Sequence, residues 1–221
     1  MADFNKLVGQ LMGSGAAGGF AGGLAGGLAS SLLTTKSGRK LGMSALKLGG
    51  VAAVGALAYT AYQRYSNQPA AQAAASAAPP ADLQPAPAGS AFLPATDNAP
   101  AHEALGLTLV RAMIAAARCD GRLDAQESQA IFQRIESLGL DAGTQRLLVQ
   151  EMGHPADVDA IVSSAICPEM AAEIYVASLL AIDVDSAAER AYLAMLAARL
   201  QLPEGLVREL EAQVAAQKAE A

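Results

Sequence analysis

The sequence contains no tryptophan, and its four phenylalanines and five tyrosines make up only 4% of 221 residues. Charged residues are also scarce at 16%, whereas 52% of the chain is hydrophobic. This is an uneven composition for one globular domain, because a typical soluble domain has about a quarter of its residues charged. We therefore expect segments of different character along the chain.

Cysteine and histidine are nearly absent, which excludes several kinds of site. Cys119 and Cys167 show neither the spacing of a zinc site nor that of a disulfide framework, so we expect two small buried hydrophobic residues. No motif places His102 or His154 beside a nucleophile, and we expect both to be solvated. The sequence also lacks a phosphate loop or a dinucleotide fingerprint. A binding module is favoured over an enzyme.

Acidic residues are almost missing from the first 64 positions, where Asp3 is the only one. Six basic residues give this region a net charge of +5, so the other 157 residues carry −11 of the total of −6. This asymmetry indicates a membrane anchor joined to an acidic domain. Nucleic acid is not expected as a partner, because phosphate binding needs clustered Lys and Arg.

Residues 7–35 contain no charge and repeat glycine every fourth position, at Gly15, Gly19, Gly23 and Gly27. Such rows give a helix a flat strip on which a second helix can pack closely in lipid. We expect self-association into a homo-oligomer through residues 15–27. A flexible Gly/Ala tail is the alternative, because glycine disfavours a helix in water.

Residues 41–62 predict a transmembrane helix, since 22 residues at about 1.5 Å each reach roughly 33 Å, enough for a hydrocarbon core of about 30 Å. Tyr59, Tyr62 and Tyr65 would form an interfacial belt. A membrane-surface helix or a buried core helix is the alternative. The basic residues before the span predict a cytoplasmic N-terminal flank, and hence a C-terminal domain outside the inner membrane, in the periplasm.

Residues 66–101 hold seven of the ten prolines and are rich in Ala, Gln and Ser. Such a composition predicts a disordered linker. Residues 1–65 then form the anchor and residues 102–221 the folded domain.

The acidic domain reads as all-α, because its apolar residues recur at helical spacing. Leu107, Val110, Ile114 and Ala117 form one expected stripe. Asp124 with Glu127, and Ser186 with Glu189, predict capping boxes, and Pro168 and Pro203 suit first-turn positions. The expected helices are about 102–118, 124–138, 142–152, 157–165, 168–182, 186–200 and 203–218.

Two acidic stretches, 117–127 and 180–189, echo each other at an offset of 62 or 63 residues. The pairs Glu127/Glu189 and Leu138/Leu200 keep the offset of 62. One helical unit therefore appears twice, and two such units can share one core.

At these stretches and in its Gly-rich N-terminus the chain resembles the YebE-type inner-membrane proteins of bacteria, whose C-terminal part is similar to the tellurite-resistance TerB-like domain. The resemblance implies an all-α fold of about seven helices and a bacterial inner-membrane location. It also implies metal binding or signalling as functions proposed for such domains.

The acidic stretches allow two interpretations. In the first, six carboxylates converge on a hard cation, Ca²⁺, Mg²⁺ or Mn²⁺, which prefers oxygen ligands: Asp120, Asp124, Glu127, Asp183, Asp185 and Glu189. In the second, these residues mostly cap helix starts, and Asp120 and Asp183 are the two that caps do not require.

The function expected from the sequence is that of a membrane-anchored adaptor or sensor that binds an unknown protein partner or a divalent cation. A structural envelope protein that oligomerises through its glycine zipper is the alternative. Hydrolase activity at a metal held by the acidic cluster is a third possibility.

Overall fold

A computed structural model of the chain describes residues 50–67, 83–119, 142–153, 156–182 and 184–220. All regular elements within these ranges are helices, which confirms the all-α class. Seven helices are described: α1 Gly50–Asn67, α2 Ala99–Ala117, α3 Ala142–Gly153, α4 Val158–Ser163, α5 Pro168–Ala181, α6 Ala187–Arg199 and α7 Glu204–Glu220. The helices α3 to α7 match five of the predicted helices to within a few residues at each end. The predicted helix 124–138 lies outside the described residues.

The central element is α5, which packs against α1, α2, α6 and α7. Every residue from Ala171 to Ala181 is buried. A helix that is apolar on all sides has no solvent face and must be enclosed by neighbours. The helix begins as predicted at Pro168, where the missing N–H is not needed, and Cys167 caps it by accepting a bond from the Met170 N–H.

Helix α2 begins three residues earlier than predicted, at Ala99. Asn98 accepts a bond from the Ala101 N–H and caps the helix, and Pro100 is tolerated because it falls in the first turn. The buried face also differs from the predicted stripe. It is centred on Leu105, Leu109, Ala112 and Ala116. Of the predicted stripe, Val110 and Ala117 are buried, whereas Leu107 and Ile114 are only half-buried. The face has turned because α2 lies along α5 and also contacts α1, α3, α4 and α6.

Helix α1 is a core helix of the domain. Its side chains Val51, Val54, Leu57 and Ala61 are buried, and the helix packs against α5 and α7. At its C-terminal end Arg64 forms a salt bridge with Glu209. The described part of the expected span 41–62 therefore matches the alternative of a buried core helix. Burial in lipid and burial in protein both select an apolar helix, so the sequence pattern alone does not separate them.

None of the helices in the described ranges is both long enough and apolar enough to cross a membrane. The Gly-rich segment 7–35 and residues 41–49 of the expected span lie outside these ranges.

Residues 83–98, named the strap here, lie on α1 and lead into α2. The structure differs here from the expected linker 66–101, because Ala86 and Phe92 of the strap are buried. A turn with Gly89 at φ +76° and a bond from the Ser90 N–H to the Pro87 carbonyl shapes its centre. Proline pre-sets the backbone and glycine accepts the positive φ, so the composition that predicted disorder also builds this turn.

Candidate functional site

The second acidic stretch forms the turn between α5 and α6. The Ser186 hydroxyl accepts a bond of 3.1 Å from the Glu189 N–H, and the Glu189 carboxylate accepts from the Ser186 and Asp185 N–H groups at 2.8 and 3.1 Å. This is the predicted capping box, and it is confirmed. The Glu189 side chain is buried, and its carboxylate is occupied by hydrogen bonds from two local backbone N–H groups.

Two electrostatic effects oppose each other at Glu189. Burial alone would raise the pKa of its carboxyl group, but hydrogen bonds from Ser186 and Asp185 favour the charged form and lower the pKa below its ordinary value. The stabilisation that Glu189 provides is therefore present above pH 4.5 and is lost as the pH falls through the lowered pKa.

Cationic side chains also lie at this turn. Arg190 donates to the Asp185 carbonyl at 2.9 Å, and the Lys218 ammonium donates to the Ile182 carbonyl. A divalent cation would have to compete with both charges and with the backbone N–H groups at Glu189. Among the described residues of the turn, Val184 and Asp185 have exposed side chains.

The six predicted metal ligands are only partly placed by the structure. Asp185 and Glu189 lie four residues apart at this turn, whereas Asp120, Asp124, Glu127 and Asp183 lie outside the described residues. In the part that is described, no three His, Cys, Asp or Glu side chains are close enough to hold a metal ion. The convergence of the two stretches on a cation stays a prediction.

A second acidic position, which the sequence interpretation missed, lies in the domain core. Glu173 is on α5, its side chain is 0% exposed, and neither carboxyl oxygen has a hydrogen-bond partner. An ionised carboxylate in such surroundings would lose its hydration without compensation, so burial raises the pKa of Glu173 well above its ordinary value of 4.5.

The strap and α1 cover Glu173 at Gly55. A Cβ atom built at Gly55 would lie 3.1 Å from Glu173 Oε1 and 2.7 Å from the Phe92 carbonyl oxygen. The two oxygens are thus at most 5.8 Å apart, the sum of these distances. Real Cβ contacts essentially never fall below 3.0 Å, so only glycine fits here while the strap is seated.

Two further contacts hold the strap on α1. The Phe92 ring stacks edge-on against Tyr59 and Tyr62, with centroid distances of 5.5 Å to each. The Gln84 N–H donates to the Thr60 hydroxyl at 3.1 Å, and that hydroxyl donates to the Ala56 carbonyl at 2.7 Å. The strap therefore contacts α1 over the range from Gly55 to Tyr62.

Two other polar side chains of α5 have partners. Tyr175 donates to the Glu211 carboxylate at 2.8 Å, and Ser178 donates to the Ile174 carbonyl at 3.0 Å. The Tyr192 hydroxyl of α6 is buried without a partner, and burial raises its pKa to about 12. Glu173 differs from Tyr175 and Ser178 because both of its carboxyl oxygens are left unpaired.

A signal for Glu173 is present in the sequence. It is the one charged residue inside the apolar run from Met170 to Ile182. Helical spacing assigns a charge to a solvent face, but this run is apolar on every face, so no solvent face exists. A lone carboxylate in such a run predicts a buried acid.

The structure corrects the predictions for the two cysteines and for His102. Cys119 and Cys167 form no disulfide and are half-buried rather than buried. Burial, together with the neighbouring Glu169, raises the pKa of the Cys167 thiol, although the Met170 N–H that it accepts acts in the opposite direction. His102 is half-buried, and its Nδ1 is buried without a partner rather than solvated. His154 lies outside the described residues.

A family model described as "Protein of unknown function (DUF533)" matches residues 18–214. The chain belongs to the DUF533 family. This family is TerB-like, so the resemblance to TerB-like domains holds at the family level, and the likeness to YebE-type proteins stays a prediction. The matched range includes α1 to α6, the strap and the first part of α7.

The chain is also similar to a protein of Yersinia enterocolitica described as "Uncharacterized protein in ampR 5'region". The two are 33% identical over 96 residues, which is 43% of this chain and 69% of the relative. No solved structure matches the chain.

Proposed function

We propose that this DUF533 protein is a non-enzymatic binding module held at the bacterial inner membrane by its Gly-rich segment 7–35. The helical domain would act as an adaptor for a protein partner. The observation that carries the proposal is the position of α1, which is a core helix of the domain rather than part of a separate anchor.

The position of α1 changes how an anchor would connect to the domain. The candidate anchor ends at residue 35 and α1 begins at Gly50, so 14 residues separate them. At about 3.3 to 3.6 Å per residue these span at most roughly 50 Å. The domain would therefore stay near the membrane surface, without the longer linker that the sequence predicted.

The position of α1 also reverses the membrane orientation that the sequence predicted for the domain. If residues 7–35 form the only span, then Lys36, Arg39, Lys40 and Lys47 lie between that span and the domain. Positively charged flanks stay in the cytoplasm. The domain would then face the cytoplasm, whereas a span at 41–62 would place it in the periplasm.

The turn after α5 is the surface that we propose for the partner. Its carboxylate at Glu189 is engaged by the backbone, and Val184 is 43% exposed beside the exposed Asp185. An apolar side chain next to an exposed carboxylate suits a partner segment that carries an apolar and a basic residue. This arrangement favours a protein partner over a metal ion.

Membrane attachment is tested by extraction of cell membranes with alkaline carbonate. We expect the full chain to remain in the membrane pellet, and a Leu24→Asp/Leu28→Asp variant to move to the supernatant because charges are costly in lipid. Val149→Asp, at an exposed position of α3, is the matched control and should stay in the pellet. A wild-type chain in the supernatant would refute the anchor.

Orientation and partner binding have separate tests. A C-terminal fluorescent fusion should be bright and a C-terminal alkaline phosphatase fusion inactive if the domain is cytoplasmic; the reverse would contradict the orientation. In-cell crosslinking from position 184 should capture a second protein, and Asp185→Arg should reduce that capture. Crosslinks to further copies of this chain alone would instead support a structural assembly.

A further inference from the structure

We infer that the strap is a releasable latch on α1, and that ionisation of Glu173 beneath it opens the latch and uncovers the Tyr59–Tyr62 face. This inference is independent of the membrane attachment and the partner surface proposed above. It rests on the contact of three groups from three elements: the Phe92 carbonyl, Gly55 of α1 and Glu173 of α5.

The neutral form of Glu173 is compatible with the closed latch. The carboxyl group has no exposed surface and no hydrogen-bond partner for either oxygen. A negative charge there would need water or a donor, and the neighbouring Phe92 carbonyl presents an oxygen rather than an N–H group. An ionised Glu173 carboxylate therefore needs hydration. Its negative charge also repels the nearby Phe92 carbonyl oxygen of the strap.

Among the described elements around Glu173, the strap is the one that can detach at the lowest cost in free energy. The helices α1, α2 and α7 each carry regular backbone hydrogen bonds and large buried faces. The strap has no regular helix from residue 83 to 98, and Phe92 is its principal buried side chain. Segments with few buried contacts open at lower free energy than the core.

The raised pKa of Glu173 arises from burial without a contribution from a neighbouring charge, and several charged groups on the helices around it are paired with other residues. Arg64 of α1 pairs with Glu209 of α7, Glu211 of α7 accepts from Tyr175, and Arg111 of α2 pairs with Glu151 of α3. Glu173 is thus the group whose ionisation couples most directly to the strap.

Release of the strap has a defined structural consequence. The rings of Tyr59 and Tyr62 lose their edge-on contacts with Phe92, the Thr60 hydroxyl loses the Gln84 N–H, and the Glu173 carboxylate becomes accessible. The uncovered face then combines two aromatic rings with one negative charge. The strap stays tethered at Asn98, which caps α2, so closure is reversible.

Hydrogen exchange of the full-length chain, followed by mass spectrometry from pH 5.5 to 8.5 and corrected for intrinsic exchange rates, tests the latch. If the open form ionises with an ordinary pKa and the closed form is neutral, the opening constant rises about tenfold per pH unit. We expect this rise in peptides covering residues 84–93 of the wild-type chain, with α5 peptides remaining protected.

Two variants and one control make the test decisive. Glu173→Gln cannot ionise, so its strap should remain protected with no dependence on pH. Gly55→Ala places a Cβ 2.7 Å from the Phe92 carbonyl and should leave the strap unprotected at every pH. Gly153→Ala, where nothing lies within 4 Å of the added Cβ, should behave as the wild type. If Glu173→Gln does not fold, the wild-type slope and the Gly55→Ala result still decide.

Three results would overturn the inference. One is a strap in the wild-type chain whose protection does not change with pH. Another is an unchanged pH slope in Glu173→Gln, which would assign the titration to a different group. The last is a parallel loss of protection in α5, which would mean that the whole domain loosens rather than the latch.

Discussion

Two glutamates on successive helices, Glu173 of α5 and Glu189 of α6, are both buried but lie in opposite environments. Glu189 accepts two backbone N–H groups, whereas Glu173 accepts none. Hydrogen bonding to the charged form outweighs burial at Glu189 and lowers its pKa, while burial acts alone at Glu173 and raises it. The comparison teaches that an acid shielded from solvent stays charged where backbone donors reach it, and is driven to the neutral form where it lies deep in the core without donors.

The two glutamates should give stability contributions of opposite sign against pH. Glu173 binds a proton more tightly in the folded protein than in the unfolded one, so it disfavours folding as the pH rises above 4.5. We expect a loss of about 1.4 kcal/mol per pH unit until the folded pKa is reached. Urea unfolding at a series of pH values measures this slope as the difference between wild type and Glu173→Gln.

Glu189→Gln is the control for that slope. Glutamine still fits a capping box, and this variant keeps Glu173, so the loss above pH 4.5 should remain. A wild-type profile that superimposes on that of Glu173→Gln would contradict the assignment of the slope to the core acid.

The second prediction concerns the close packing of the strap on α1 at Gly55. Gly55→Ala should destabilise the domain by about 1 to 3 kcal/mol, the usual cost of overpacking, because the backbone of Phe92 has to move. Gly153→Ala should change stability by less than 1 kcal/mol, since its added methyl group meets no neighbour. Equal effects of the two substitutions in urea unfolding would exclude a close contact between α1 and the strap.

The capping box at Glu189 should show a smaller effect. Glu189→Ala removes the acceptor of two N–H groups and should cost about 1 kcal/mol above pH 4.5, with the cost shrinking as the pH falls. Glu189→Gln should retain most of the stability, because its amide oxygen can accept the same bonds. Thermal unfolding at pH 7 compares the two, and a larger loss in Glu189→Gln than in Glu189→Ala would contradict the capping role.

Of these features, a surface ion pair should contribute least to the free energy of unfolding. Arg111 donates two bonds of 2.8 Å to the Glu151 carboxylate, and this pairing raises the pKa of the guanidinium. Arg111 is about half exposed, so solvent screens the pair, and a double-mutant cycle should give roughly 0.2 to 1 kcal/mol. The coupling should fall as salt is added, whereas the effect of Gly55→Ala should not.

Much of the fold follows from sequence signals that act locally. The capping box at Ser186 and Glu189 and the proline at the start of α5 depend on neighbouring residues, so spacing alone identified them. The helices α3 to α7 end within a few residues of their predicted bounds for the same reason.

The features that the sequence missed depend on which elements surround a segment. The pattern of α1 suits lipid and protein interiors equally, and only its contacts with α5 and α7 show the protein interior. The strap looked like a linker because its ordering depends on the Tyr59 and Tyr62 rings of another element. Glu173 escaped notice because a lone charge is ordinarily assigned to a solvent face.

The protonation state of Glu173 at neutral pH tests this account most directly. In the full-length chain with ¹³C-labelled glutamate, the account predicts one side-chain carboxyl resonance that still has the chemical shift of a protonated acid at pH values where the other glutamates have ionised. That resonance should disappear in Glu173→Leu and remain in Glu189→Gln. A spectrum in which every glutamate carboxyl group titrates together in the ordinary range would contradict the account.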